Sequence, residues 1–145
     1  MPYDDEIPPF GNHADVPEVF HELTRAVIGA AIEVHRKLGP GLPEEAYQRA
    51  CEIEFAARGI PFEPQKPVNV VYKAVVVARG RVDFLVAGCL VVEIKAVDCL
   101  IPLHRLQVRT YMRILKQPLG LLINFNVPLL KEGIKRVIDT EPIPE

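Results

Sequence analysis

Asp83 and the tripeptide Glu93-Ile94-Lys95 are the residue types from which a metal-dependent phosphodiesterase site is built. Cleaving a phosphodiester calls for a hard divalent cation that polarises the phosphate and activates water. Mg²⁺ is typically held by one or two carboxylates together with waters and phosphate oxygens. Asp83 and Glu93 supply such carboxylates. An ammonium beside them orients or helps deprotonate the attacking water and offsets charge developing in the transition state, a role open to Lys95.

Spacing supports this reading. Residues two apart on a strand share a face, so Glu93 and Lys95 point together while Ile94 turns to the opposite layer. A three-residue loop, Val86-Ala87-Gly88, between the runs 81–85 and 89–95 would put Gly88 in the left-handed position that such loops favour. It pairs Leu85 with Cys89 and Asp83 with Val91. Asp83 and Glu93 become diagonal neighbours, roughly 5.5–8 Å apart at their backbones and able to share one ion. A two-residue loop at Ala87-Gly88 would put them on opposite faces. An edge-strand ion pair is the bland alternative. Against it, a Glu/Lys pair inside a run as apolar as Leu90 to Val97 costs free energy unless the charges are paired, solvated or functional.

The elements that must position these residues follow from periodicity. Phe20, Leu23, Val27, Ala30, Ala31, Val34 and Leu38 recur at helical spacing between Pro17 and Gly39, which predicts a long amphipathic helix. Pro43 opens a second helix carrying Ala46, Tyr47, Ala50, Cys51 and Phe55, stopped by Gly59. Val68 to Ala78 reads as one extended segment rich in β-branched residues and is followed by the two runs of the candidate site. Pro102 opens a third helix to about Lys116. Leu119 to Phe125 reads as a buried strand, and Gly133 to Ile138 as a last strand or edge segment. This order predicts an α/β (α+β) fold, a mixed central sheet flanked by helices.

Composition sets the context. A chain of 145 residues with 49% hydrophobic content fits one domain, expected over residues 17–140, between an extended, Pro-rich N-terminal arm (1–16) and a short tail (141–145). A net charge of −2 excludes a generic polyanion binder, so nucleic-acid contact must come from a local basic patch or from bound metal. Cys51, Cys89 and Cys99 are odd in number and lack CxxC spacing, which disfavours a disulfide framework or a zinc knuckle and reads as reduced, mostly buried thiols. With neither a signal peptide nor a membrane-length apolar run, the expected location is cytoplasmic.

The motif Gly41-Leu42-Pro43-Glu44-Glu45-Ala46-Tyr47 resembles the signature of the GxxExxY protein family, a branch of the PD-(D/E)xK nuclease-like superfamily. The segments 33–41, Glu93-Ile94-Lys95-Ala96-Val97 and 120–125 resemble the same family in the same order, over roughly residues 19 to 139. Val82 stands where the superfamily's label has Pro. The resemblance implies a restriction-endonuclease-like core and further roles. Gln107-Val-Arg-Thr-Tyr111 is similar to the QxxxY helix motif of RecB-like nucleases, which borders the metal site. Gln107 and Tyr111 are four apart on one helical face, which His104 shares; a polar stripe with a core tyrosine is the alternative. Glu44 resembles the helix-borne acid that adds to the metal site in RecB-like members, although any acid in a helix's first turn is favoured by the helix dipole.

Other groups carry less weight. His35 near the end of the first helix is accounted for by a cation at the helix end or a cap interaction, with a substrate role as the alternative, and His13 and His21 lack metal-ligand spacing. Arg105, Arg109 and Arg113, four apart, form either a phosphate-facing ridge or a solvated surface, with Lys131, Lys135 and Arg136 as an extension. The expectation is an Mg²⁺- or Mn²⁺-dependent nuclease acting on nucleic acid, DNA by superfamily habit. Asp83, Glu93 and Glu44 would lie at the metal, Lys95 at the water, and Gln107 with Tyr111 at the rim. The alternative is a non-catalytic scaffold or self-assembling protein that reuses the fold. Apolar β-runs such as Val68 to Val77 favour a homodimer or larger homo-oligomer, and a compact domain with no appended recognition module leaves room for a recruiting protein.

Overall fold

The computed structural model describes residues 18–139, so the terminal arm and tail expected from the sequence lie outside the described residues. Within them the order is α1 (Glu18–Leu38), α2 (Glu44–Ala57), β1 (Phe62–Tyr72), β2 (Val75–Val86), β3 (Leu90–Lys95), α3 (Pro102–Leu115), β4 (Leu119–Asn124) and β5 (Ile134–Ile138). The strands form one sheet in the order β1-β2-β3-β4-β5. β3 and β4 are parallel and every other pairing is antiparallel, so the predicted mixed α+β sheet is what the chain builds. The crossover through α3 is what a parallel pair requires.

Helices cover both faces. Val27, Ala31 and Val34 of α1 and Tyr47, Cys51 and Phe55 of α2 pack on Phe84, Val92, Ile94 and Leu121. Val108 and Met112 of α3 pack on Val82, Val91, Leu122 and Val137. Because both faces are covered, β3 and β4 are apolar on both sides, and Glu93 and Asn124 are the polar residues buried in them. Helix α3 approaches β4 closely at Gly120, where an added Cβ would lie 2.7 Å from Met112 Sδ and 3.0 Å from Val108 Cγ1. Gly120→Val is therefore expected to lower stability by about 1–3 kcal/mol, roughly 4–12 °C in Tm by differential scanning calorimetry.

The structure corrects three local expectations. Val68 to Ala78 is not one extended segment but a hairpin that reverses at Lys73-Ala74, both in the left-handed region (φ 49° and 64°). Two consecutive left-handed residues make the turn type that suits a two-residue hairpin, but Lys-Ala lacks the Gly or Asn that usually announces it. The β2–β3 loop is Ala87-Gly88-Cys89 rather than Val86-Ala87-Gly88, so Leu85 pairs with Val91 and Val86 with Leu90. Val86 and Leu90 are both fully buried, and keeping them paired in the strands moves the turn one residue along. Of the three thiols only Cys51 is buried; Cys89 is half-buried and Cys99 exposed, and all three are free.

Candidate active site

The site forms where the β2–β3 ladder opens. Backbone pairing ends at Phe84↔Val92, and one step further Asp83 and Glu93 stand opposite each other outside the ladder. Their side chains take over its hydrogen bonding: the Asp83 N–H donates to Glu93 Oε1 at 2.8 Å, and the Ile94 N–H donates to Asp83 Oδ2 at 2.7 Å. The carboxylates thus serve as acceptors between two diverging strands. Asp83 faces Glu93 directly rather than diagonally, a consequence of the shifted loop.

Lys95 closes β3, paired with Asn124 on β4, and its carbonyl accepts from the Phe125 N–H at 2.9 Å. Asn124 pins the exit from β3, accepting from the Val97 N–H at 3.0 Å and donating to the Val97 carbonyl at 2.9 Å. Two apart on a strand that β4 continues to hold through Glu93↔Leu122 and Lys95↔Asn124, Glu93 and Lys95 are fixed on one face, as their spacing predicts.

Glu44 arrives from α2. Gly41 sits at φ 99°, a conformation glycine adopts without strain, and its N–H donates to Asn126 Oδ1 at 3.1 Å. The Tyr47 hydroxyl donates to the Gly39 carbonyl at 2.6 Å and accepts from the Leu42 N–H at 3.2 Å, while its buried ring stacks on Phe125 with centroids 4.6 Å apart. The Gly-x-x-Glu-x-x-Tyr pattern is thus a latch: tyrosine and glycine hold the turn, and Glu44 in the first helical turn reaches the site.

From α3 come Gln107 and Tyr111, with Gln107 Nε2 donating to the tyrosine hydroxyl at 3.2 Å. The Tyr111 ring lies against Gly80 of β2, where a Cβ would come within 3.0 Å of its hydroxyl. One cleft of about 430 Å³ brings together all six residues singled out from the sequence, Glu44, Asp83, Glu93, Lys95, Gln107 and Tyr111, and adds Glu45, Gln48, Gln65 and Arg81. Gln48 donates to the Asp83 carbonyl at 3.2 Å and Gln65, itself at φ 52°, to Asp83 Oδ1 at 3.5 Å. No signal in the sequence marks these two glutamines. They reach Asp83 across 35 and 18 residues, distances that only the fold closes.

Electrostatics set this cleft apart from a structural ion pair. Burial, reinforced by the Asp83 charge, pushes the Glu93 carboxyl up to about 8, and burial also raises that of Asp83. Loss of solvation in the cleft, then Asp83, raises Glu44. The Lys95 ammonium counteracts the rise at all three, yet each remains above its ordinary value. The site is short of positive charge.

No grouping of three or more His, Cys, Asp and Glu side chains among the described residues is arranged to hold a metal ion. The donor set is nevertheless all oxygen, and Gln48 Oε1 is buried without a hydrogen-bond partner. Such a set suits a hard divalent cation that keeps much of its coordination in water and substrate oxygens.

The remaining candidates are occupied elsewhere. His35 Nε2 hydrogen-bonds the Val127 carbonyl at 2.8 Å and ties the end of α1 to the loop after β4. His104 accepts from the Ile101 N–H at 3.1 Å as part of the α3 cap, and it does not line the cleft. The arginine ridge is not simply solvated: Arg105 donates to the Arg136 carbonyl at 2.9 Å, and Arg109 and Arg113 pair with Asp139 at 3.5 and 3.1 Å. His21 is buried, and His13 lies outside the described residues. A second, more apolar cavity of about 390 Å³ between α3 and β5 has Arg105, Arg109 and Lys135 as its charged residues and no carboxylate.

A five-stranded mixed sheet, covered on both faces and opened over a carboxylate pair, is the framework of a nuclease-like α+β protein. Residues 21–137 match the family model of the PD-(D/E)XK nuclease superfamily, and the chain belongs to that superfamily. No curated protein and no solved structure gave a match. No helix among the described residues is long and apolar enough to cross a membrane.

Proposed function

We propose that the protein is a nuclease that hydrolyses phosphodiester bonds in DNA with the help of Mg²⁺ or Mn²⁺. The observation that carries this reading is the opening of the β2–β3 ladder over Asp83 and Glu93, with Lys95 on the same face of β3. Asp83 and Glu93 would hold the cation as a carboxylate pair, with water and phosphate oxygens completing its shell and Glu44 facing the same cleft from α2. When bound, the cation polarises the phosphate and lowers the pKa of water. Lys95 orients the attacking water and offsets charge on the phosphoryl oxygens. Gln107 and Tyr111, locked to each other and seated on Gly80, shape the wall against which the substrate backbone lies. Membership in the superfamily supports nuclease chemistry, and the family resemblance through Gly41, Glu44 and Tyr47 supports a RecB-like arrangement of the acids.

Calorimetric titration of Mn²⁺ followed by cleavage assays on single- and double-stranded DNA tests the proposal. Saturable binding with cation-dependent cleavage is expected; failure to bind any divalent cation would sink it. Gly80→Val, which pushes the Tyr111 ring from its seat, is expected to slow turnover about tenfold to a hundredfold, because small displacements at a reacting centre are costly. Equal rates in a steady-state assay would remove Tyr111 from the site. An exposed run at the β1–β2 turn supports a second reading, a self-assembling scaffold, for which sedimentation would show concentration-dependent mass and no cation would bind.

A further inference from the structure

The far half of the β1–β2 hairpin extends beyond the body of the fold. Up to Gly80 it is held by Tyr111; from Val71 to Arg79 every residue is exposed. The exposed side chains include large apolar ones, with Tyr72 62% and Val75 61% accessible. A two-stranded ribbon in water is marginally stable on its own, so apolar side chains at its tip call for an occupant.

Charge indicates which occupant. Residues 64–82 contain Lys66, Lys73, Arg79 and Arg81 and no acid, a local charge of +4. Subtracting this from the chain's −2 leaves −6 for the remainder, so the hairpin is a basic arm on an acidic protein. Lys66 is offset by Glu63 at 3.1 Å, and Lys73 lies 5.5 Å from the Tyr72 ring centroid. Arg79 and Arg81, two apart, share one face of the ribbon, and Arg81 lines the cleft beside Asp83. The basic face is therefore continuous with the candidate site. A second copy pairing hairpin to hairpin would meet it with like charge, whereas a phosphate backbone would meet it with the opposite one.

We infer that the β1–β2 hairpin is a docking arm for double-stranded DNA, its ribbon lying in the major groove on one side of the bond to be cut. This rests on the nuclease reading of the cleft. A two-stranded ribbon fits the major groove of B-DNA, whereas the deep, narrow major groove of duplex RNA does not admit one. Arg79 and Arg81 contact phosphates, and Tyr72 and Val75 make apolar contacts with base edges. From Asp83 to Val75 the arm spans eight residues, roughly 26 Å, which corresponds to about 8 base pairs of flanking duplex.

The test measures anisotropy of labelled duplexes of increasing length, and of the matching single strands, with metal-free wild type, Arg79→Ala, Arg79→Glu and Tyr72→Ala. The same proteins, with Mn²⁺ added, are assayed for hydrolysis of bis(p-nitrophenyl) phosphate, a diester too small to reach the arm. Wild-type affinity is expected to rise until about 8 flanking base pairs are present. Arg79→Ala should weaken duplex binding about three- to tenfold and reduce the salt slope by about one, and Arg79→Glu should weaken it further. Tyr72→Ala should weaken binding with the salt slope kept. All variants should hydrolyse the small diester at the wild-type rate. Wild-type hydrolysis with unchanged duplex affinity in the variants would overturn the arm and leave the nuclease standing. A wild type that neither hydrolyses nor binds would overturn both. Variants that convert a dimer to monomer without touching duplex affinity would assign the hairpin to a second copy and overturn the arm.

Discussion

Asp83→Asn is expected to abolish cation-dependent phosphodiester cleavage, by at least about 10³-fold, equivalent to roughly 4 kcal/mol of transition-state stabilisation. The substitution keeps the side chain's shape and an oxygen to accept from the Ile94 N–H, so the divergence of β2 and β3 is retained. What it removes is the charge, and that charge is costly to the fold: burial already holds the Asp83 carboxyl above its ordinary value, and Asp83 in turn raises Glu93 and Glu44. The metal-free variant should therefore melt at or above the wild-type temperature while losing activity. An Asp kept as a structural ion-pair partner gives the reverse pattern, lower stability with activity intact. A single preparation, assayed for cleavage with Mn²⁺ and scanned by calorimetry without it, separates the two. A trade of stability for function is the usual mark of a working site.

Glu93→Gln should change the pH dependence of stability. In the folded protein the Glu93 carboxyl titrates at about 8, raised from 4.5 first by burial and then by Asp83. A carboxyl whose pKa is raised by folding favours the fold while it is protonated. Its contribution is thus complete below the unfolded value near 4.5 and is lost as pH climbs towards 8. Denaturant unfolding of the metal-free wild type should show stability falling across that window by a few kcal/mol, since each tenfold difference in proton affinity between folded and unfolded chains is worth about 1.4 kcal/mol. Glutamine retains an acceptor for the Asp83 N–H and carries no proton to lose, so the variant's profile should be much flatter and lie above wild type at about pH 8. Mn²⁺ added at that pH should restore the wild type, because in the proposed site the cation would bind the ionised carboxylates that burden the fold, and should do little for the variant. Parallel pH profiles for the two proteins would show that Glu93 is not the group responsible.

Both predictions depend on a feature that one-dimensional patterns do not encode. Glu93 and Lys95 sharing a face is a matter of strand parity, and the sequence carries it plainly. That Asp83 meets Glu93 head-on, through side chains that replace backbone acceptors, depends on a loop one residue further along than expected. The loop moved because Val86 and Leu90 bury better as a pair than Leu85 and Cys89 would. The same kind of competition hid the hairpin: β-branched residues from Val68 to Val77 have one local preference, extended, and nothing in Lys73-Ala74 advertises a reversal. The arginine ridge on α3 was legible as a row four residues apart. Its use was not, because Asp139 and the Arg136 carbonyl come to it from β5 and its end, beyond an intervening strand and turn.

Local pattern was enough to specify the three helices, the strand character of the runs around Asp83 and Glu93, the mixed α+β class and three of the cleft residues, Asp83, Glu93 and Lys95, while the family resemblance pointed to Glu44, Gln107 and Tyr111. These rest on periodicity, on breakers and on a motif, each of which is contained in a short stretch of chain. Long-range packing selected where the sheet opens and how Asp83 faces Glu93. It also brought Gln48 and Gln65 to Asp83, made Tyr47 a latch while Glu44 reaches the cleft, and set the basic residues near the site on a projecting hairpin. The physical reason is that burial and register are settled between segments distant in the chain. The free energy that selects one pairing over its neighbour comes from side chains that no local window contains together.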